Sequence, residues 1–175
     1  MNKFYLAVLI LLSLALPALA QDAPILGGFG FELGQVVTES ELTFEKKYVE
    51  TYGGISYGGV TPPIPSRFFD RYTIEVSAAT MEIYHISGSK REYQSQELLE
   101  ADARALIQVL VDKYGPGDPD AEDLGYRYEQ DARSIYLSTD TDLGFLALFY
   151  NDHDGMRAAR EAHQAKQKAN DQDAL

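Results

Sequence analysis

The sequence predicts an α+β fold: a mainly antiparallel sheet of about five to seven strands, one long helix packed on a face, and a C-terminal helix. Three observations carry this. Tyr72, Ile74 and Val76 alternate with Arg71, Thr73, Glu75 and Ser77, the period-2 pattern of a strand with one buried face. Between Ser95 and Tyr114 the period changes, because Leu99, Ala103, Leu106, Leu110 and Tyr114 recur every three or four residues, with Ile107 and Val111 widening the stripe. Strand signals then return before a last, alanine-rich helical run.

Taken in order, Phe29, Phe31 and Leu33 alternate with Gly30, Glu32 and Gly34 and predict a strand that Val36 and Val37 extend. Thr38-Glu39-Ser40-Glu41 has the capping-box pattern of a short helix, and Lys47 to Tyr52 reads as strand. Gly53 to Pro65 is glycine- and proline-rich and predicts a loop. After the Tyr72 strand, the turn Ala78-Ala79-Thr80 leads to another over Met81 to Ile86, with His85 expected on the face of Met81 and Ile83. The long helix has Ser95 as N-cap and stops at Gly115-Pro116. A polar linker runs to Asp123, followed by strands at Leu124 to Tyr128, Ser134 to Ser138 and Phe145 to Tyr150. The last is apolar on both faces and belongs centrally in the sheet or beneath a helix. From Asp154 the stripe is Ala158, Ala162, Ala165 and Ala169; alanine propagates helix while burying little, so this segment is expected to dock loosely and fray.

The first twenty residues read as an export signal. Lys3 precedes an apolar stretch from Leu6 to Leu16, then Pro17 and the small-residue pattern Ala18-Leu19-Ala20, which are the three parts of a cleavable secretory signal. The apolar centre is shorter than the roughly 20 residues a spanning helix needs. Cleavage is expected between Ala20 and Gln21, giving a signal peptide over 1–20, a single α+β domain over 21–151 and the C-terminal helix over 152–175. Cysteine is absent, so the fold holds without disulfides. The formal charge of −12 becomes −13 when Lys3 is removed, and the largest basic clusters are pairs such as Lys46-Lys47 and Lys90-Arg91. Nucleic acid and anionic membrane surfaces reward clustered Lys and Arg, so neither is expected as a partner, and no membrane insertion is expected after signal removal.

Several motifs invite a chemical reading. Gly54-Ile55-Ser56-Tyr57-Gly58 matches the serine-hydrolase pattern G-x-S-x-G, but that turn must open a helix, and Gly59-Val60-Thr61-Pro62-Pro63 follows instead. Gly28-Phe29-Gly30 begins like a dinucleotide-binding turn and lacks its third glycine, Leu33 standing there. Asp152-His153-Asp154-Gly155 with Glu161 reproduces the second half of a calcium loop, which makes Asp152, Asp154 and Glu161 the candidate metal ligands. Its first ligand position carries Tyr150, and Arg157 would bring positive charge to the site, which favours the alternative that an Asp caps the helix. Asp140-Thr141-Asp142 with Gly144 reads as a turn between strands. His85, His153 and His163 lack metal-ligand spacing, and His163 is expected on a solvated helix face. Tyr72, Tyr84, Tyr126, Tyr128 and Tyr136 fall on predicted strands, where they either pack or form a stacking platform.

Gly30-Phe31-Glu32-Leu33-Gly34, the Pro-Pro-Ile-Pro loop before Phe69-Asp70-Arg71-Tyr72, Lys113-Tyr114-Gly115 and Tyr150-Asn151-Asp152 together resemble small exported bacterial proteins of unknown function. The resemblance spans most of the mature chain and implies a periplasmic domain; it implies no catalytic or binding residue. The expected function is a non-enzymatic periplasmic binding or interaction module, its partner an envelope protein or a small ligand, with no catalytic residue and no cofactor assigned. The alternatives are a small enzyme whose site is assembled from distant residues, recognisable by a pocket joining a His and a carboxylate, and a calcium-stabilised module.

Overall fold

The computed structural model describes residues 23–50, 52–118 and 124–173. The expected signal peptide and its Ala20–Gln21 junction lie outside the described residues. The first elements are β1 (Gly27–Gly28) and β2 (Phe31–Glu32), paired so that Gly27 faces Glu32 and Gly28 faces Phe31. The alternation at Phe29, Phe31 and Leu33 predicts one strand here, and the structure corrects it to a tight hairpin. Phe29 and Gly30 both take left-handed angles, φ 58° and 83°, as a two-residue hairpin turn requires. Thr38 then opens one turn of 3-10 helix, Glu39–Glu41, its backbone N–H donating to the Glu41 carboxylate at 3.1 Å.

Seven strands form the main sheet: β3 (Lys46–Val49), β4 (Gly54–Gly58), β5 (Arg71–Ser77), β6 (Ile83–Lys90), β7 (Tyr126–Gln130), β8 (Arg133–Asp140) and β9 (Phe145–Asp152). Helix α1 (Gln96–Tyr114) follows β6, and α2 (His153–Asp173) follows β9 without a break. The strand order is β3-β4-β5-β6-β9-β8-β7, with every neighbouring pair antiparallel. Two meanders are thus joined by α1, and the second returns so that β9 lies beside β6. That gives β9 the central position its two-sided apolar pattern predicts.

The second correction is β4, which lies where a loop is predicted. Gly54–Gly58 pairs with β3 on one side and β5 on the other, and it buries Tyr57 completely. Two flanking strands and one large buried side chain outweigh the low strand preference of its glycines.

One face of the sheet carries the core. Tyr72, Ile74, Val76, Ile86, Leu148, Tyr150, Ile135 and Leu137 pack there against Leu99, Ala103, Leu106, Leu110 and Tyr114, which is the predicted stripe of α1. Ser95 caps α1 by accepting the Leu98 N–H at 3.3 Å. The N-terminal hairpin covers the same face, its Phe29 ring edge-on to Phe69, Tyr72 and Tyr150 at centroid distances of 5.4, 5.0 and 5.9 Å. Arg133 fastens this strap to the sheet: its guanidinium donates to the carbonyls of Ile25 at 2.7 Å and Leu33 at 3.1 Å.

Helix α2 docks through a face one residue away from the predicted stripe. Ala159 is its buried residue, while Ala158 and Ala165 are exposed. His163, expected in solvent, is half-buried against Gly53, where a Cβ would collide with that of His163. A glycine opposite the helix lets the two backbones approach, and this selects the face. From Gln164 to Gln172 the helix is exposed.

Candidate functional site

The second face of the seven-stranded sheet is left uncovered by α1 and by the N-terminal strap. Cross-strand register sets its pattern. One row runs Glu75, His85, Asn151, Ser134 and Glu129 across β5, β6, β9, β8 and β7. The adjacent row runs Thr73, Ser87, Phe149, Tyr136 and Arg127. Most of these residues are half-buried, and Tyr136 is 39% exposed.

Aromatic rings occupy the middle of this face. The Phe149 ring lies 6.0 Å from Tyr136 with the planes 19° apart, and 5.9 Å from His85 at 39°. Beside them runs a chain of hydrogen bonds: His85 Nδ1 to Asn151 Oδ1 at 2.8 Å, Asn151 Nδ2 to Ser134 Oγ at 3.3 Å, and Ser134 Oγ to His153 Nε2 at 3.0 Å. One assignment satisfies all of it. His85 donates to the amide oxygen, the amide nitrogen donates to the serine, and the serine hydroxyl donates to His153. The chain fixes the His85 ring and ties the first residue of α2 to β8.

A β-bulge places His85 here. Val76 faces Ile83 while its neighbour Glu75 faces His85, so two steps along β6 match one along β5. Ile83 therefore points into the core and His85 to the opposite face, which corrects the expectation that His85 lies beside Ile83. The extra residue, Tyr84, is buried beneath α2 against Gly155. Bulges invert side-chain alternation and redirect side chains in this way.

The predicted candidate residues fall elsewhere. Asp152 accepts the Gly155 N–H at 2.9 Å, as a helix N-cap does, and lies 3.6 Å from Arg133 Nε. Asp154 pairs with Arg157 in the first turn of α2, and Glu161 is exposed further along that helix. Among the described residues no group of three or more His, Asp or Glu is gathered as a metal site would need. Asp140 accepts the Leu143 N–H at 2.9 Å within the β8–β9 turn. Ser56 of the G-x-S-x-G pattern is buried mid-strand, facing Tyr48 and Glu75 across the sheet.

The five-tyrosine platform does not form. Tyr72 and Tyr126 are core residues, Tyr84 lies under α2, and Tyr128 packs 5.8 Å from Tyr114 on the core side. Of the five, Tyr136 alone reaches the uncovered face. Sequence reasoning missed Phe149 as a surface ring, together with Ser134 and Asn151. The alternation of Ser134, Tyr136 and Ser138 with Ile135 and Leu137 carried that signal.

A second feature is a cleft of about 510 Å³ at the opposite end of β6, lined by Asp70, Lys90, Arg91, Glu92, Tyr93, Gln94, Leu98 and Asp102. Tyr93 donates to Asp102 at 2.9 Å, and Lys90 lies 3.5 Å from the same carboxylate and 4.2 Å from the Tyr93 ring centre. Burial, then the Asp102 carboxylate, push the Tyr93 hydroxyl well above the usual tyrosine range.

The chain matches no protein-family model, no curated protein and no solved structure.

Proposed function

We propose that this is an exported, periplasmic, non-enzymatic binding module whose recognition surface is the uncovered face of the sheet. Export rests on the three-part signal ending at Ala20, and the binding reading rests on one observation: the Tyr136, Phe149 and His85 rings grouped across two adjacent rows on the central strands of the sheet. Central strands position side chains more rigidly than loops do. The exposed Tyr136, with the half-buried Phe149 and His85 beside it, offers apolar ring surface with a polar tip, suited to a flat or extended partner. Ser87, Ser89, Ser138 and Thr73 around the rings add hydroxyl donors and acceptors without bulk. The acidity of the chain favours a neutral or basic partner over a polyanion.

The test is capture from an envelope extract with the tagged mature protein and with a Tyr136→Ser, Phe149→Ser variant. The expected result is one specific partner, recovered at least tenfold less by the variant while both proteins melt cooperatively (about 1.4 kcal/mol of binding). Equal recovery by both would refute the assignment of the surface.

A further inference from the structure

We propose that the cleft between the end of β6 and the start of α1 binds a small zwitterion of the amino-acid class, through Arg91 for its carboxylate and Asp70 and Glu92 for its ammonium group. This site is separate from the sheet face and stands without it. Its charges are what single it out. Lys90 and Tyr93 are both engaged by Asp102, so that trio forms a preorganised wall. Arg91 stacks over Phe145 at 5.3 Å and has no carboxylate partner among the described residues; Asp70 and Glu92 likewise have no ion-pair partner there. One concavity thus presents charges of both signs outside any ion pair, which a molecule carrying both complements.

Two further observations fit the same ligand. Leu98, in the first turn of α1, is 52% exposed and lines the cleft, giving an apolar wall for a side chain. The Glu92 backbone takes a left-handed angle, φ 60°, in a residue that rarely adopts it. Such conformations persist where surrounding structure imposes them, and they cluster at ligand sites.

The probe is L-leucine, titrated into the intact mature protein while the resonances of Tyr93 and Leu98 are followed by NMR. Two analogues serve as controls: 3-methylbutylamine, which lacks the carboxylate, and 4-methylpentanoate, which lacks the ammonium group. Saturable shifts with leucine, at least tenfold weaker binding of either analogue, and at least tenfold weaker leucine binding to Arg91→Gln are expected. Arg91 is exposed, so the variant should fold, and an unchanged melting temperature would verify that. No saturable shift with leucine up to about 10 mM, or an analogue binding as tightly as leucine, would overturn the proposal.

Discussion

Single contacts at Gly54 and Tyr84 show how closely the second face is packed where α2 crosses it. A Cβ on Gly54 would overlap the Tyr84 hydroxyl oxygen, and Tyr84 is 1% exposed, so it has no room to retreat. The hydroxyl itself is buried beside the Glu75 carboxylate, with no hydrogen bond of good geometry among the described residues. Gly54→Ala is therefore expected to destabilise by about 1–3 kcal/mol, the usual cost of overpacking. Tyr84→Phe removes a buried hydroxyl whose polar neighbour is the Glu75 carboxylate and is expected to change stability by no more than about 1 kcal/mol. The two changes are coupled, and Gly54→Ala should cost less when combined with Tyr84→Phe. Urea denaturation of the four proteins of this double-mutant cycle measures it, and strictly additive effects would argue against this packing. The same residues mark a boundary of what sequence can reveal. His85 is an ordinary strand residue in sequence, and only the bulge at Glu75/Val76 sends it to the face away from Ile83, where Tyr84 also lies.

At the scale of elements, legibility follows how much each segment depends on distant partners. Helix α1 is read correctly down to its cap and its five buried residues, because its stripe is long and its signals are local. Strand β4 is missed because Gly54-Ile-Ser-Tyr-Gly58 is short and glycine-flanked, and it becomes a strand only between β3 and β5. The hairpin at Phe29-Gly30 is missed because its alternation continues through a turn that the backbone angles alone reveal. Helix α2 lies between these cases. Its helicity is local, while its docking face depends on Gly53. Since Gln164 to Gln172 is exposed, a chain ending at Gln164 should lose less than about 1 kcal/mol of stability in urea. A loss of several kcal/mol would mean that the outer half of α2 packs where the structure shows it free. Calcium belongs at this scale too. With Asp152 committed to the α2 cap and Arg133, the melting temperature should be the same in calcium and in chelator.

Over the whole molecule, the two faces of one sheet divide the labour: one builds the core with α1 and the N-terminal strap, and the other is uncovered around Tyr136, Phe149 and His85. The core is rich in tyrosine, and this sets its pH response. Burial pushes the Tyr126 hydroxyl up to about 12, and it also raises Tyr84, Tyr93 and Tyr150, helped by the neighbouring Glu75, Asp102 and Tyr114 respectively. In the unfolded chain these groups ionise near pH 10. Below that value both states hold their protons and the full stability is present. Above it the unfolded state loses protons first, so stability falls as pH rises toward the folded values, by as much as about 1.4 kcal/mol per pH unit for each such tyrosine. Urea midpoints measured from pH 8 to 11.5 should be flat to about 10 and then drop; a flat profile throughout would mean that these hydroxyls are solvated.

Whether a partner binds the uncovered face is read out by hydroxyl-radical footprinting of the protein with and without the partner it captures. Oxidation of Tyr136, Phe149 and His85 should fall when the partner is bound, while Val109 on α1 and Leu143 at the β8–β9 turn, which are 53% and 74% exposed, react as before. Protection of Val109 or Leu143 with Tyr136 and Phe149 unchanged would contradict it.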